Sequence, residues 1–362
     1  MKELNAGLEL LEKINSYGYE AYFIGGFVRD YLLKIPSNDI DITTSMPLEE
    51  IKAKFNIIDN GSNYSSITVS FNTFLFEVTH FRTDSLYLDH RHPVVKDIDS
   101  LEEDVKRRDF TINAIAMDKD YKIYDYYSGI NDLKLKRIKT ILEPNKRFIE
   151  DSLRILRGCY FSSKLDFEIE EETLKAMINQ RYLLKNLSNE RLYSYFIKLV
   201  YANTKKGINY ILDNNIFEYI PEYKKWLMIA NKKYNEDELK YLFTKKYLSY
   251  PPFSTKKDKK ICDILITLIT NNFSSYYLYI YKNEIGLFKN ILDNYSEINS
   301  KIIGFPIKND SDLALKKEEI SKMFKGPEIN IKIKEVISLI LDYKLKNDKE
   351  IIKKYLGEEL YE

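Results

Sequence analysis

Cysteine is nearly missing from this chain of 362 residues: only Cys159 and Cys262 occur, far apart and without a CxxC partner. That excludes a disulfide scaffold and a structural zinc site, and it fits a reducing compartment. No apolar stretch reaches membrane-spanning length and no signal peptide is present, so no membrane partner is expected and the cytoplasm is the expected location. An excess of either charge is missing too, with 56 Lys+Arg against 55 Asp+Glu. Bulk electrostatics therefore do not mark a nucleic-acid binder, and any basic surface has to be local. No internal repeat is evident. What the chain does have is length for two or three domains with real cores, and thirty tyrosines that offer stacking surface.

The first third alternates helical and extended patterns. Residues 4–17 read as a helix with Leu8, Leu11 and Ile14 in register, 21–24 as a short apolar strand, and 28–33 as a helix following two glycines. Residues 40–43 read as a strand, Pro47 opens a helix through Phe55, and 66–70 with 74–81 read as a hairpin around Asn72. Residues 109–117 are expected to form a short helix and 121–124 a strand. Beyond about residue 140 helical periodicity takes over, in one stripe of Phe148, Leu153, Leu156 and Tyr160 and another of Leu192, Phe196 and Leu199. The basic run 256–260 reads as a solvated loop or a helix start. The expected fold is α+β, an α/β head followed by an all-α remainder.

The most informative residues are Asp39-Ile40-Asp41, nine positions after Gly25-Gly26-Phe27-Val28-Arg29-Asp30. Carboxylates separated by one residue on an extended segment point the same way. Such a pair suits Mg²⁺, which favours one or two carboxylates together with substrate phosphates. A glycine pair between strand and helix lets backbone N–H groups approach a triphosphate. Glu77, on the 74–81 strand, is a candidate third acid, with a plain surface carboxylate as the equal alternative. Arg29 either binds phosphate or pairs with Asp30 on the helix surface. Together these features suggest nucleotidyl transfer, with Asp39, Asp41 and Glu77 as candidate catalytic residues and Asp39 and Asp41 as metal ligands.

GGFVRDYLL (25–33) followed by DIDITT (39–44) resembles motif A of the class II tRNA nucleotidyltransferase and poly(A) polymerase family. RRDFTINA (107–114) is similar to its ribose-binding motif B, DYYSGINDL (125–133) to motif C, EDSLRILR (150–157) to motif D, and LSNERL (187–192) to motif E. FPIKNDSDLAL (305–315) and Lys325-Gly326-Pro327 resemble the family's C-terminal segment. The resemblance implies a polymerase-β-like nucleotidyltransferase head over 1–139, a helical neck over 140–200 and a helical, tRNA-binding body and tail over 201–362. It implies template-independent addition of C, C and A to the acceptor end of tRNA from CTP and ATP, with Mg²⁺ and with no obligatory protein partner. A-adding, CC-adding and poly(A)-adding members, and a non-catalytic RNA-binding relative, are the alternatives.

By the same resemblance Gly25, Gly26, Arg29, Arg108, Asp109, Asn113, Asp151, Arg154 and Arg157 bind nucleotide, Asp109 through the ribose 2′-hydroxyl. Cytosine and adenine share an exocyclic amine beside a ring-nitrogen acceptor, and uracil and guanine reverse that order. Asp151 only accepts and Arg154 only donates, and their spacing of three puts both on one helix face, so the pair matches the first two bases and mismatches the others. The segment 81–93 is similar to the family loop associated with the switch from C to A addition. Asn60-Gly61-Ser62-Asn63-Tyr64 stands where poly(A) polymerases carry a basic signature. His80, His90 and His92 lie in or near that loop, and His90 and His92 are read as loop residues rather than metal ligands, with no His-Asp pair later to hold a further metal. The chain departs from the family pattern at Lys34 and Asp166, where glycine is usual, at Tyr160 in place of arginine, and at Tyr195 in place of glutamate. Lys134, Lys136, Arg137, Lys139, Lys146 and Arg147 either track tRNA phosphates or are solvated surface.

Overall fold

The computed structural model describes residues 2–37, 39–59, 66–87 and 93–358, so the 60–64 stretch, His90 and His92 lie outside the described residues. The described chain divides into two compact units, Met1–Leu227 and Met228–Glu362.

The first unit opens with helix α1 (Lys2–Ser16), which buries Leu10, Leu11 and Ile14. It approaches the sheet closely at Gly7, where a Cβ would stand 2.9 Å from the Phe23 ring. The sheet contains strands β1 (Ala21–Ile24), β2 (Asp41–Thr44), β3 (Asn56–Asp59), β4 (Ser66–Phe71) and β5 (Phe74–His80). A hairpin, β6 (Arg82–Tyr87) with β7 (Pro93–Asp97), stands apart, and β8 (Ile115–Met117) and β9 (Ile123–Asp125) return to the main sheet. The order is β3-β4-β5-β2-β1-β8-β9, with β2 and β5 parallel and the other pairs antiparallel. Side chains alternate across the sheet. Phe23 therefore meets α1, while Ile24 joins Phe81, Ala116 and residues of helix α4 (Leu101–Lys106) in a second cluster.

The hairpin around Asn72 is present as expected, its turn made by Asn72 and Thr73, both at positive φ. The helix expected over 109–117 is not. Residues Thr111–Asn113 form one 3-10 turn, and 115–117 form β8 between β1 and β9. All three residues of β8 are buried, and an apolar run that short cannot distinguish strand from helix until its neighbours are known. The strand expected at 121–124 begins two residues later, because Tyr121 takes a left-handed turn.

Helices α2 (Gly26–Leu32), α3 (Leu48–Lys54) and α5 (Gly129–Lys134) complete the head. Helices α6 (Pro144–Glu150), α7 (Leu153–Leu165), α8 (Glu171–Gln180) and α9 (Asn189–Val200) follow, with a short parallel pair of β10 (Arg137–Ile138) and β11 (Glu168–Ile169). Lys34 and Asp166 both sit at positive φ, 57° and 59°, so these two positions demand the conformation glycine adopts most easily.

The second unit is helical, with a core that includes Leu265, Leu268, Leu278, Phe288, Ile337, Ile340 and Ile352. The basic run 256–260 is a helix start, capped by the reciprocal Thr255–Asp258 pair. Lys240 and Asp258 make a buried ion pair at 3.1 Å. Both cysteines are buried, and burial pushes the Cys159 thiol up to about 12. No helix among the described residues is long and apolar enough to cross a membrane.

Candidate active site

Where β1 runs into α2, Gly25 adopts φ 73° and ψ −128°, a combination open to glycine and costly for any L side chain. A Cβ there would lie 2.8 Å from Nη1 of Arg108 and 3.7 Å from Oδ2 of Asp41. The missing side chain thus leaves room for a guanidinium and a carboxylate at one corner. Strand pairing brings a second carboxylate to it, since Asp41 of β2 stands in register with Glu77 of the parallel β5. Burial raises the Asp41 pKa, Arg108 lowers it, and Glu77 and Asp39 raise it further, to about 6. This carboxylate holds its charge reluctantly unless a cation is near. Asp39 precedes the strand, is exposed, and is absent from the cleft wall, acting on Asp41 only by its charge. Among the described residues no cluster of three metal-ligating side chains is assembled. The Asp41–Glu77 pair of hard oxygen donors nevertheless suits Mg²⁺, which takes few carboxylates and completes its shell with water and phosphate.

That corner is one end of a cleft of about 770 Å³ whose lining includes Asp41, Glu77, Asp109, Asn113, Asp151 and seven arginines. Gly25, Gly26, Arg29, Arg108, Arg154 and Arg157 are all on its wall. Arg29 is almost fully buried. Its Nε donates to Asp30 at 2.7 Å, its Nη1 donates to Asn113 Oδ1 at 2.6 Å, and it lies over the Phe161 ring. Asn113 in turn donates to Asp109 at 3.0 Å, and Arg157 donates to the other Asp109 oxygen at 2.5 Å. Tyr195 accepts from Arg157 at 2.7 Å, so the residue standing in place of a glutamate holds that arginine with a neutral oxygen. Tyr160 packs edge-on against Tyr195.

Burial alone would raise the Asp109 pKa. The charge of Arg157, with hydrogen bonds from Asn113, Arg157 and the Phe110 N–H, overrides it and holds the carboxyl at about 2. A folded pKa below the unfolded one adds stability above pH 4 that is lost as pH falls through 2. Across that window the wild type should lose about 2 kcal/mol more than Asp109→Asn does, measured as the slope of unfolding free energy against pH. Equal slopes would remove Asp109 from the account.

Asp151 and Arg154 line the same cleft but do not share a helix, contrary to the expectation from their spacing. Asp151 is extended (φ −145°, ψ 102°) at the end of α6, and Arg154 lies in the first turn of α7. The break has a local cause: Asp151 Oδ1 accepts from the Leu153 N–H at 3.1 Å, a short-range bond that competes with helix continuation. Arg191 of α9 donates to both Asp151 oxygens, at 3.0 and 3.2 Å. Arg191, Arg82 and Arg107 are cleft residues that the sequence reading did not single out. Arg107 had a signal, because Asp104, fully buried three residues earlier, takes its Nε at 2.9 Å.

Of the basic residues considered for an RNA track, Lys134, Lys136 and Lys146 are exposed. Arg137, 34% exposed, pairs with Asp132, and Arg147 is buried among backbone carbonyls, which removes Arg147 from a solvent-facing track.

A family model described as "Poly A polymerase head domain" matches residues 21–139, and one described as "Probable RNA and SrmB- binding site of polymerase A" matches residues 166–227. A CCA-adding enzyme of Streptococcus pyogenes serotype M5 is 44% identical over 225 residues, 61% of this chain and 56% of that protein. The chain thus matches little more than half the length of that relative. Another, from S. pyogenes serotype M3, is 34% identical over 392 residues, covering 99% of this chain and 98% of its own. The crystal structure of the Bacillus stearothermophilus CCA-adding enzyme in complex with CTP superposes with a TM-score of 0.72 at 26% identity, covering 100% of this chain and 98% of that one.

Proposed function

The chain belongs to the tRNA nucleotidyltransferase and poly(A) polymerase family, and from that premise we propose that it adds C, C and A in turn to the 3′ end of tRNA. The reading takes CTP and ATP as substrates, pyrophosphate as the leaving product, and the cytoplasm as the site of action. One observation carries it: a single cleft joins the Asp41–Glu77 corner to a wall holding Asp151 and Arg154.

Asp41 and Glu77, with Asp39 at the edge, would hold Mg²⁺. When bound, such an ion activates the attacking 3′-hydroxyl and neutralises charge on the triphosphate. The chain's own residues do the rest. Arg108 and the open backbone at Gly25 and Gly26 receive the phosphates. Asp109 fixes the ribose; its carboxylate has about four acceptor sites and uses three on Phe110, Asn113 and Arg157, leaving one for a 2′-hydroxyl. Asp151 accepts the exocyclic amine of cytosine or adenine, and Arg154 donates to the adjacent ring nitrogen. Three of the guanidinium's contacts go to Arg147 O, Glu150 and Arg107 O, so donors remain for a base. Arg29 acts through Asn113, holding it toward Asp109. Exposed Lys134, Lys136 and Lys146 supply phosphate contacts for the acceptor stem.

Incubation with labelled CTP or ATP and tRNAs ending before, within and after CCA tests the reading. Expected are two C additions and then one A, with nothing added to the complete end. A growing A tail would reassign the chain to poly(A) addition, and incorporation of neither base would leave an RNA-binding relative.

A further inference from the structure

Arg108 is a weakly compensated cation on the cleft wall. Among the described residues its nearest ion-pair partner is Asp104 at 3.9 Å and its Nε is buried without a hydrogen-bond partner, while its Nη1 crowds the space beside Gly25 and Asp41. A guanidinium left in this state is suited to an arriving anion, and its usefulness depends on where the backbone places it.

That backbone is held from the far side. Helix α4 ends at Lys106, so the carbonyls of its last turn need donors from elsewhere. Arg147 of α6 supplies one, its Nη2 donating to Lys106 O at 3.3 Å, and it donates also to Arg108 O, just past the helix end, at 2.5 Å. Arg154 donates to the carbonyl between, Arg107 O, at 2.9 Å. Glu150 binds both guanidiniums, accepting from Nη1 of Arg147 and from Nη1 of Arg154. The Arg147 side chain is 7% exposed, and its bonds include those to Lys106 O, Arg108 O and Glu150.

We propose that Arg147 is a positioning residue for the phosphate-binding Arg108: a neck-borne guanidinium that touches no nucleotide and sets where the head presents its weakly paired cation. The inference rests on the nucleotidyl-transfer reading.

The test compares binding of CTP and CMP by the full chain carrying Arg147→Met, Arg147→Lys, Arg108→Met, or both methionine changes. In the wild type CTP is expected to bind more tightly than CMP. Arg147→Met is expected to shrink that advantage about tenfold, the size expected when one charge-assisted hydrogen bond is lost, and to leave CMP affinity unchanged. Arg147→Lys, which keeps a donor for Arg108 O, should restore part of it. In the Arg108→Met background, Arg147→Met should have no further effect on the ratio, because the two act through one contact. Loss of CMP and CTP affinity in parallel, an unchanged ratio, or additive effects would each overturn the proposal and leave Arg147 as a cap on α4. Wild-type incorporation into tRNA is run alongside: its failure rejects the proposed function, whereas its success with an unaltered Arg147→Met ratio rejects only the positioning role.

Discussion

Asp41→Asn is expected to lower C and A incorporation by at least about 10³-fold, the loss of several kcal/mol of charge stabilisation, and yet to make the protein more stable at pH 8. The second effect follows from the raised pKa of the same carboxylate. The Asp41 pKa is raised from 3.8 to about 6 by burial and by its carboxylate neighbours, with Arg108 opposing. A folded pKa above the unfolded value means the native state holds the proton more tightly, so stability falls as pH rises from 4 to 6 and the cost persists above it. The shift corresponds to about 3 kcal/mol in metal-free buffer, and asparagine does not incur it. The two proteins should match near pH 4, diverge between pH 4 and 6, and keep a constant gap above it. Mg²⁺ should recover stability for the wild type, by mass action on the folded state, and do nothing for the variant. A variant that turned over normally, or that was the less stable of the two at pH 8 without metal, would show that the corner does not hold a cation. A site that keeps two carboxylates in register, with Arg108 as the charge that opposes the raised Asp41 pKa, is a place where function and stability conflict.

Local chemistry made much of the head legible. An apolar run ending in Gly25-Gly26 reads as a strand entering a helix whatever the rest of the fold does, and Asn72 between two extended runs fixes a hairpin. What failed were segments decided by distant partners. Ile115–Met117 is a strand because β1 and β9 flank it, and nothing within 109–117 reports either neighbour. Lys146 and Arg147 are adjacent basic residues in the sequence, but one is exposed and the other buried on carbonyls 39 and 41 residues upstream. Asp151 and Arg154 had the spacing of one helix face, and a single side-chain bond to Leu153 N–H broke that helix between them. The residues were legible as a pair and their geometry was not. Arg191 was visible only as part of LSNERL, because its partner Asp151 is 40 residues away.

Asp151→Asn is expected to raise UTP use relative to CTP about 10²-fold without comparable loss of C addition. The estimate is the cost of a buried acceptor facing another acceptor, which the substitution removes. A carboxylate can only accept, so opposite uracil it meets a carbonyl and one charge stays unpaired. The amide of asparagine carries both a donor and an acceptor, and it rotates to suit either base. Arg154 still opposes uracil through its ring N–H, which is why the change relaxes selection without reversing it. Arg191 sharpens the expectation. It donates to both Asp151 oxygens, so in the wild type the carboxylate is pinned and its remaining lone pairs point one way. Arg191→Met should therefore loosen base choice in the same direction as Asp151→Asn, and the double variant should be little worse than either single one, since both act on one acceptor. Unchanged discrimination in Asp151→Asn would mean that the wall formed by Asp151 and Arg154 does not read the base. Additive losses would mean that Arg191 reads it independently.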